Sequence, residues 1–147
     1  MNGKRSKSVL IFDLKVLKFA KSAKLNEART RSSSTIASDT MYVFGGQGNG
    51  GYLDTIEALD VSSSSSKWET IRSENFTVRY NAVVCSLNED HILICGGHDG
   101  SNRLNDVLVF DTKTKMTRKV AKVGTFFINN YNNQAYIESD GVVLALV

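Results

Sequence analysis

Proline is absent from this chain of 147 residues. No turn can therefore rest on a ring-fixed φ, and the turns fall to Gly, Asn, Asp and Ser. Cysteine and histidine are scarce, at two each. No spacing among them fits a zinc site or a disulfide framework, so no metal or cofactor is expected. Cys85 and Cys95 fall in neighbouring predicted strands. With a turn centred near Asn88-Glu89, Cys85 pairs near Ile92 and Cys95 near Ala82, so the two do not face each other. They read as small buried apolar residues of a reducing, cytoplasmic compartment. No run approaches the ~20 apolar residues of a membrane span. Ser8–Phe12 is too short for a secretory core, and Asp13 interrupts it. The basic, acid-poor start faintly resembles a mitochondrial presequence, but the same residues fit a strand.

Hydrophobic residues make up 41% of the chain, enough for a packed core in a chain of one-domain length. Charge is unevenly placed. Residues 1–31 hold nine Lys or Arg against Asp13 and Glu27, a balance of +7, whereas residues 32–147 balance at −4. A basic end can meet an acidic protein, nucleic acid or a membrane surface. Aromatics for base stacking are sparse there, which disfavours nucleic acid. A solvated strand face with a flexible tail accounts for the charge as well.

The chain repeats itself. Gly45–Asp60 and Gly96–Asp111 align without a gap at an offset of 51 residues. The Gly-Gly pair, a Leu and the final Asp coincide. Each Gly-Gly follows a strand-forming run, Met41–Phe44 or Ile92–Cys95. A period near 50 built of short strands points to the blades of a β-propeller. One unit has expected strands at Thr35–Ser38, Met41–Phe44, Ile56–Val61 and Lys67–Ile71, with a polar loop at Gln47–Tyr52. The next has Ala82–Ser86, Ile92–Cys95, Val107–Phe110 and Met116–Val120. Val9–Asp13 nearly repeats Val107–Asp111, so it reads as a third strand, with Phe19 in a fourth. Gln134–Ile137 and Gly141–Val147 read as first and second strands. The expected organisation is a basic flexible start (1–7), outer strands of a partial blade (8–27), two whole blades (28–73 and 74–124) and inner strands of a partial blade (125–147).

These marks resemble the Kelch repeat: a hydrophobic strand ending in double Gly, an Asp about fourteen residues on, and a Trp in the last strand. The chain departs from that pattern in places. Phe12, Leu59 and Phe110 stand where the family commonly has Tyr. Phe19 and Met116 stand where Trp68 stands in its own unit. The resemblance implies an all-β, partial Kelch-type propeller of about three blades of four antiparallel strands, two complete and two partial. Gly45, Gly46, Gly96, Gly97, Asp60, Asp111 and Trp68 would be its structural repeat positions. Trp68 is expected over Gly45-Gly46, and Met116 over Gly96-Gly97.

Propellers have roughly 4–8 blades, and each blade buries its faces against its neighbours. Three blade equivalents are therefore expected to belong to a longer propeller, to pair as a homodimer of six blades, or to stand as an open arc.

No catalytic constellation is evident. Ser62–Ser66 lacks the setting of a nucleophile elbow and reads as a flexible turn or a phosphorylation target. Gly45–Gly51 is glycine-rich, but no helix follows it to form a phosphate loop. His91 sits at a hairpin end. Asp54, Asp60, Asp106 and Asp111 recur with the repeat, as turn-shaping carboxylates do. The resemblance implies a non-enzymatic protein-interaction module, a scaffold or adaptor, with cytoskeletal binding or ubiquitin-ligase substrate recognition among the roles of such proteins. Its partner would dock on loops after the double Gly (Gln47, Asn49, Tyr52, His98, Asp99, Asn102, Arg103) and between blades (Arg72, Asn75, Arg79). Arg79 directly precedes a first strand and could instead be held by backbone carbonyls near the central channel. The alternative reading is a fragment of a propeller enzyme, such as a Kelch-like oxidase or a sugar-processing enzyme.

Overall fold

The computed structural model describes residues 5–63, 65–122, 134–137 and 143–146. The described elements are all strands, and every pairing between them is antiparallel. The first hairpin joins β1 (Leu10–Asp13) to β2 (Lys18–Lys21). The first blade contains β3 (Ser33–Ala37), β4 (Thr40–Phe44), β7 (Ile56–Asp60) and β8 (Glu69–Ile71), in that spatial order. Between β4 and β7 lies a small hairpin, β5 (Gln47–Gly48) with β6 (Gly51–Tyr52). The second blade runs β9 (Val83–Ser86), β10 (His91–Cys95), β11 (Asp106–Asp111) and β12 (Thr117–Lys122). A final pair joins β13 (Gln134–Ile137) to β14 (Val143–Leu146). Gly141, Val142 and Val147 lie outside the described residues. The fold is a partial β-propeller, as the repeat implies.

Alternation along the strands decides what each blade buries. One face of each blade meets the other. Tyr42, Phe44, Ile56 and Ala58 pack with Ile92, Ile94, Leu108 and Phe110, and Phe76 enters from the connection between blades. Phe44 and Phe110 meet edge-on at 5.7 Å, and Phe44 meets Phe76 at 6.0 Å. These tilted contacts suit the ring quadrupoles. The far face of the first blade packs Val43 and Leu59 with Leu25 and Trp68. The far face of the second packs Cys85, Leu93 and Val109.

Three details differ from the sequence reading. Cys85 stands opposite Leu93, and Cys95 opposite Val83, one residue away from the expected register. The turn is wider because Asn88 Oδ1 accepts the amides of both Asp90 and His91, each at 2.9 Å. Both thiols are free, and burial pushes Cys95 up to about 11.

Secondly, Gln47–Tyr52 is not an open loop. Gln47 pairs with Tyr52, and Gly48 with Gly51, around Asn49-Gly50. Thirdly, Trp68 does not lie over Gly45-Gly46. Its indole N–H donates to the Ala23 carbonyl at 2.9 Å, and its ring joins the cluster with Leu25, Val43 and Leu59. Backbone occupies the space beside the glycines instead. Gly45 and Gly46 have φ of +55° and +102°, and the Gly46 amide donates to the Arg79 carbonyl at 2.8 Å. A Cβ on Gly45 would collide with that carbonyl, so the double Gly lets the blade connection cross at close range. Met116 is exposed, and its predicted place over Gly96-Gly97 is likewise not observed.

Candidate partner-binding face

Antiparallel order sends the connections of each blade to opposite ends. Turns between first and second strands, and between third and fourth, gather at one end. There the Val61 amide donates to the Asp39 carbonyl, and Lys113 pairs with Asp90 at 2.6 Å. Loops between second and third strands gather at the other end, with the connection between the blades.

Two of the recurring aspartates shape turns. Asp60 accepts the hydroxyl and amide of Ser62, and Asp111 accepts the amides of Thr114 and Lys113. These bonds favour the charged form and hold both carboxyls below their ordinary value. Asp54 and Asp106 do otherwise, each pairing with an arginine.

The loop end is held from below by a repeated buried arginine. Arg29 donates to the Gly45 carbonyl at 2.8 Å and to Glu57 at 2.5 Å. Arg79, fifty residues on, donates to the Gly96 carbonyl at 3.1 Å and to both oxygens of Asp106 at 3.1 and 3.0 Å. Each guanidinium ties the first glycine of its pair to a carboxylate on the neighbouring strand. Arg79 is buried, so it does not belong to the loop surface. Carbonyl and carboxylate hold it inside, close to the second of the two readings its position suggested.

Above the arginines lies an aromatic stack that spans the blade boundary. Tyr52, on β6, lies flat on Tyr80, with centroids 4.9 Å apart and planes at 17°. Tyr80 meets His98 at 5.2 Å, and the Arg31 guanidinium lies 5.7 Å from the Tyr80 ring centre. Tyr80 and His98 exchange backbone hydrogen bonds, both at 3.0 Å. His98 Nδ1 accepts the Gly100 amide at 2.9 Å, which fixes the ring. Tyr52 and Arg31 are exposed, and Tyr80 and His98 are half-buried.

Asn49, Asn102 and Arg103 are exposed around this stack, and Gln47 is half-buried in β5. Asp99 accepts the amides of Asn102 and Ser101, and those bonds lower its pKa; it shapes the loop. Arg72 is exposed and pairs with Asp54 at 2.9 Å. Asn75 adopts φ of +64°, and its side-chain amide donates to the Thr117 carbonyl. Tyr80 and Arg31 were missed. Their signal is the alignment of Arg29-Thr30-Arg31 with Arg79-Tyr80-Asn81, offset by 50 residues rather than 51. Among the described residues, no group of three or more His, Cys, Asp or Glu side chains could hold a metal, and no helix is long and apolar enough to cross a membrane.

The family model of the KLHDC2/KLHL20/DRC7 Kelch-repeats domain matches residues 1–144. The chain belongs to the Kelch-repeat family. A comparison with curated proteins gave no match. The Kelch assignment accounts for the double glycines, the two four-stranded blades and the loops gathered at one end. It is generally a protein-interaction architecture.

Proposed function

We propose that this Kelch-repeat chain is a scaffold or adaptor module of a reducing, cytoplasmic compartment that docks a protein partner on its loop end, centred on Tyr52, Tyr80, His98 and Arg31. The observation that carries this reading is the stacked aromatic group at the blade boundary. Tyr and Arg combine large contact area with a polar tip and are favoured as interface anchors. Here their geometry is set in advance by backbone bonds from both blades, so little ordering is left to be lost on binding.

The test is quantitative affinity capture with the native chain, the Tyr52→Ala variant and the Lys113→Ala variant. Lys113 lies at the opposite end and is exposed. A bound protein should fall at least about tenfold with Tyr52→Ala and hold its level with Lys113→Ala, since truncating an anchor costs at least ~1.4 kcal/mol. Equal capture by all three chains contradicts the proposal.

A further inference from the structure

A reactive dipeptide stands at the tip of the hairpin that carries Tyr52. The connection between β5 and β6 is Asn49-Gly50, closed by the pairing of Gly48 with Gly51. Both residues are exposed. A side chain built on Gly50 would meet no heavy atom within 4 Å, so nothing crowds that peptide unit. Among the described residues, neither the Asn49 side chain nor the Gly50 amide has a hydrogen bond.

The other described asparagines are held or hindered. Asn26 donates to the Trp68 carbonyl at 2.8 Å, and Asn75 to the Thr117 carbonyl at 3.2 Å. Asn88 Oδ1 accepts the amides of Asp90 and His91, and Asn102 donates to Asp99 at 3.4 Å. Asn81 and Asn105 precede Ala82 and Asp106, whose Cβ atoms hinder approach to the following amide. Asn49 is followed by glycine, which has no such atom. Asn2, also followed by glycine, lies outside the described residues.

An unhindered, unbonded amide next to a free carboxamide permits an attack within the chain. The Gly50 nitrogen gives its proton to hydroxide and bonds to Asn49 Cγ. The Cγ–Nδ2 bond breaks, ammonia leaves, and a succinimide ring closes. Water then opens the ring at either carbonyl. Opening at one leaves an aspartate. Opening at the other leaves an isoaspartate, whose main chain runs through Cβ and Cγ. In sum a water is taken up and an ammonia released, and no group is oxidised or reduced.

We propose that Asn49 is a site of spontaneous deamidation, and that its conversion loosens the aromatic stack of the loop end. An aspartate puts negative charge beside Gly48, against which the Glu27 carboxylate already lies. An isoaspartate adds a carbon to the main chain of a tight turn, and turn length sets strand register. Gln47 then no longer stays opposite Tyr52. The Tyr52 ring has little room to adjust. It fills the space beside Gly100, in the second blade's loop, and stacks on Tyr80 at 4.9 Å. A change at the hairpin tip therefore reaches both blades through one ring. Its consequence for binding rests on the docking function proposed for this face: the aged chain loses its anchor without any enzyme acting on it.

Ageing the full chain in mildly alkaline buffer at body temperature tests this. Trypsin releases residues 32–67 as one peptide, and Asn49 is its only asparagine. That peptide should gain about one dalton. It should also become a methyl acceptor for isoaspartyl methyltransferase, while the peptides holding Asn26 and Asn75 keep their mass. Asn49→Ser should show neither change. Gly50→Ala keeps the asparagine but hinders the attack, and the open space accepts its methyl group. It should slow the mass gain by about tenfold or more. In the native chain, the near-ultraviolet circular dichroism of the stacked tyrosines should weaken as the product accumulates, with the far-ultraviolet β signal retained. A peptide 32–67 of constant mass would overturn the proposal, and so would a converted chain with an undiminished tyrosine signal. Neither readout involves a partner, so failure to capture any protein counts against the docking function alone.

Discussion

Glu57→Ala should lower the unfolding free energy by about 3–5 kcal/mol, the usual cost of removing one partner from a buried ion pair. Glu57 is fully buried and faces Arg29 at 2.5 Å. Its other oxygen accepts the Asn26 amide at 2.6 Å, and the oxygen that faces Arg29 also accepts the Glu27 amide at 3.1 Å. One carboxylate therefore neutralises a buried guanidinium and fixes the segment that leads into the first blade. Alanine leaves a buried charge without its counter-ion and two amides without their acceptor, and each buried donor without a partner costs free energy of its own. Glu57→Gln keeps an acceptor for the amides but not the charge, so it should fall between the two. Urea unfolding measures all three chains. A loss under ~1 kcal/mol for Glu57→Ala would mean that water reaches Arg29.

Trp68→Ala should cost about 3–5 kcal/mol, the range for truncating a large buried aromatic. The ring is buried among Leu25, Val43 and Leu59, and Val9 and Ala23 pack on that cluster. Trp68 thus joins β1–β2 to the first blade as well as filling its far face. Trp68→Phe keeps most of the apolar contact and loses the indole bond to the Ala23 carbonyl, so its cost should be roughly 1–2 kcal/mol. Thermal melts followed at 222 nm distinguish the variants. A shift of a degree or less for Trp68→Ala would remove this ring from the packing.

The strands were legible because their signals are local. Met41–Phe44 and Ile92–Cys95 are apolar runs stopped by double Gly, and the structure keeps both as second strands. What the sequence hid depends on contacts between distant segments. A large outer-strand residue can pack over a glycine pair, and on that ground the sequence places Trp68 on Gly45-Gly46. The space at Gly45 is in fact taken by the carbonyl of Arg79, a residue of the next connection. Arg29, and with it the repetition of the buried arginine, escaped for a simpler reason. Ile36 and Met41 flank the first turn with four residues between them, whereas Ser86 and Ile92 flank its counterpart with five. That extra residue shifts the repeat from an offset of 50 before the turn to 51 after it. A gap-free alignment on the double Gly therefore never sets Arg29 against Arg79, or brings Tyr80 into view. Tyr52 and His98 were found from their loops, but their stacking through Tyr80 is a property of two blades brought together.

On the proposed function, the loop end and not the turn end receives the partner. A photo-crosslinking phenylalanine analogue placed at Tyr52 or at Lys113 in the full chain, and irradiated in cells, tests it most directly. Both side chains are exposed, so either position accepts the probe. A covalent adduct with another protein is expected from position 52 and none from position 113. An adduct from position 113 alone would place the partner on the opposite end and contradict it.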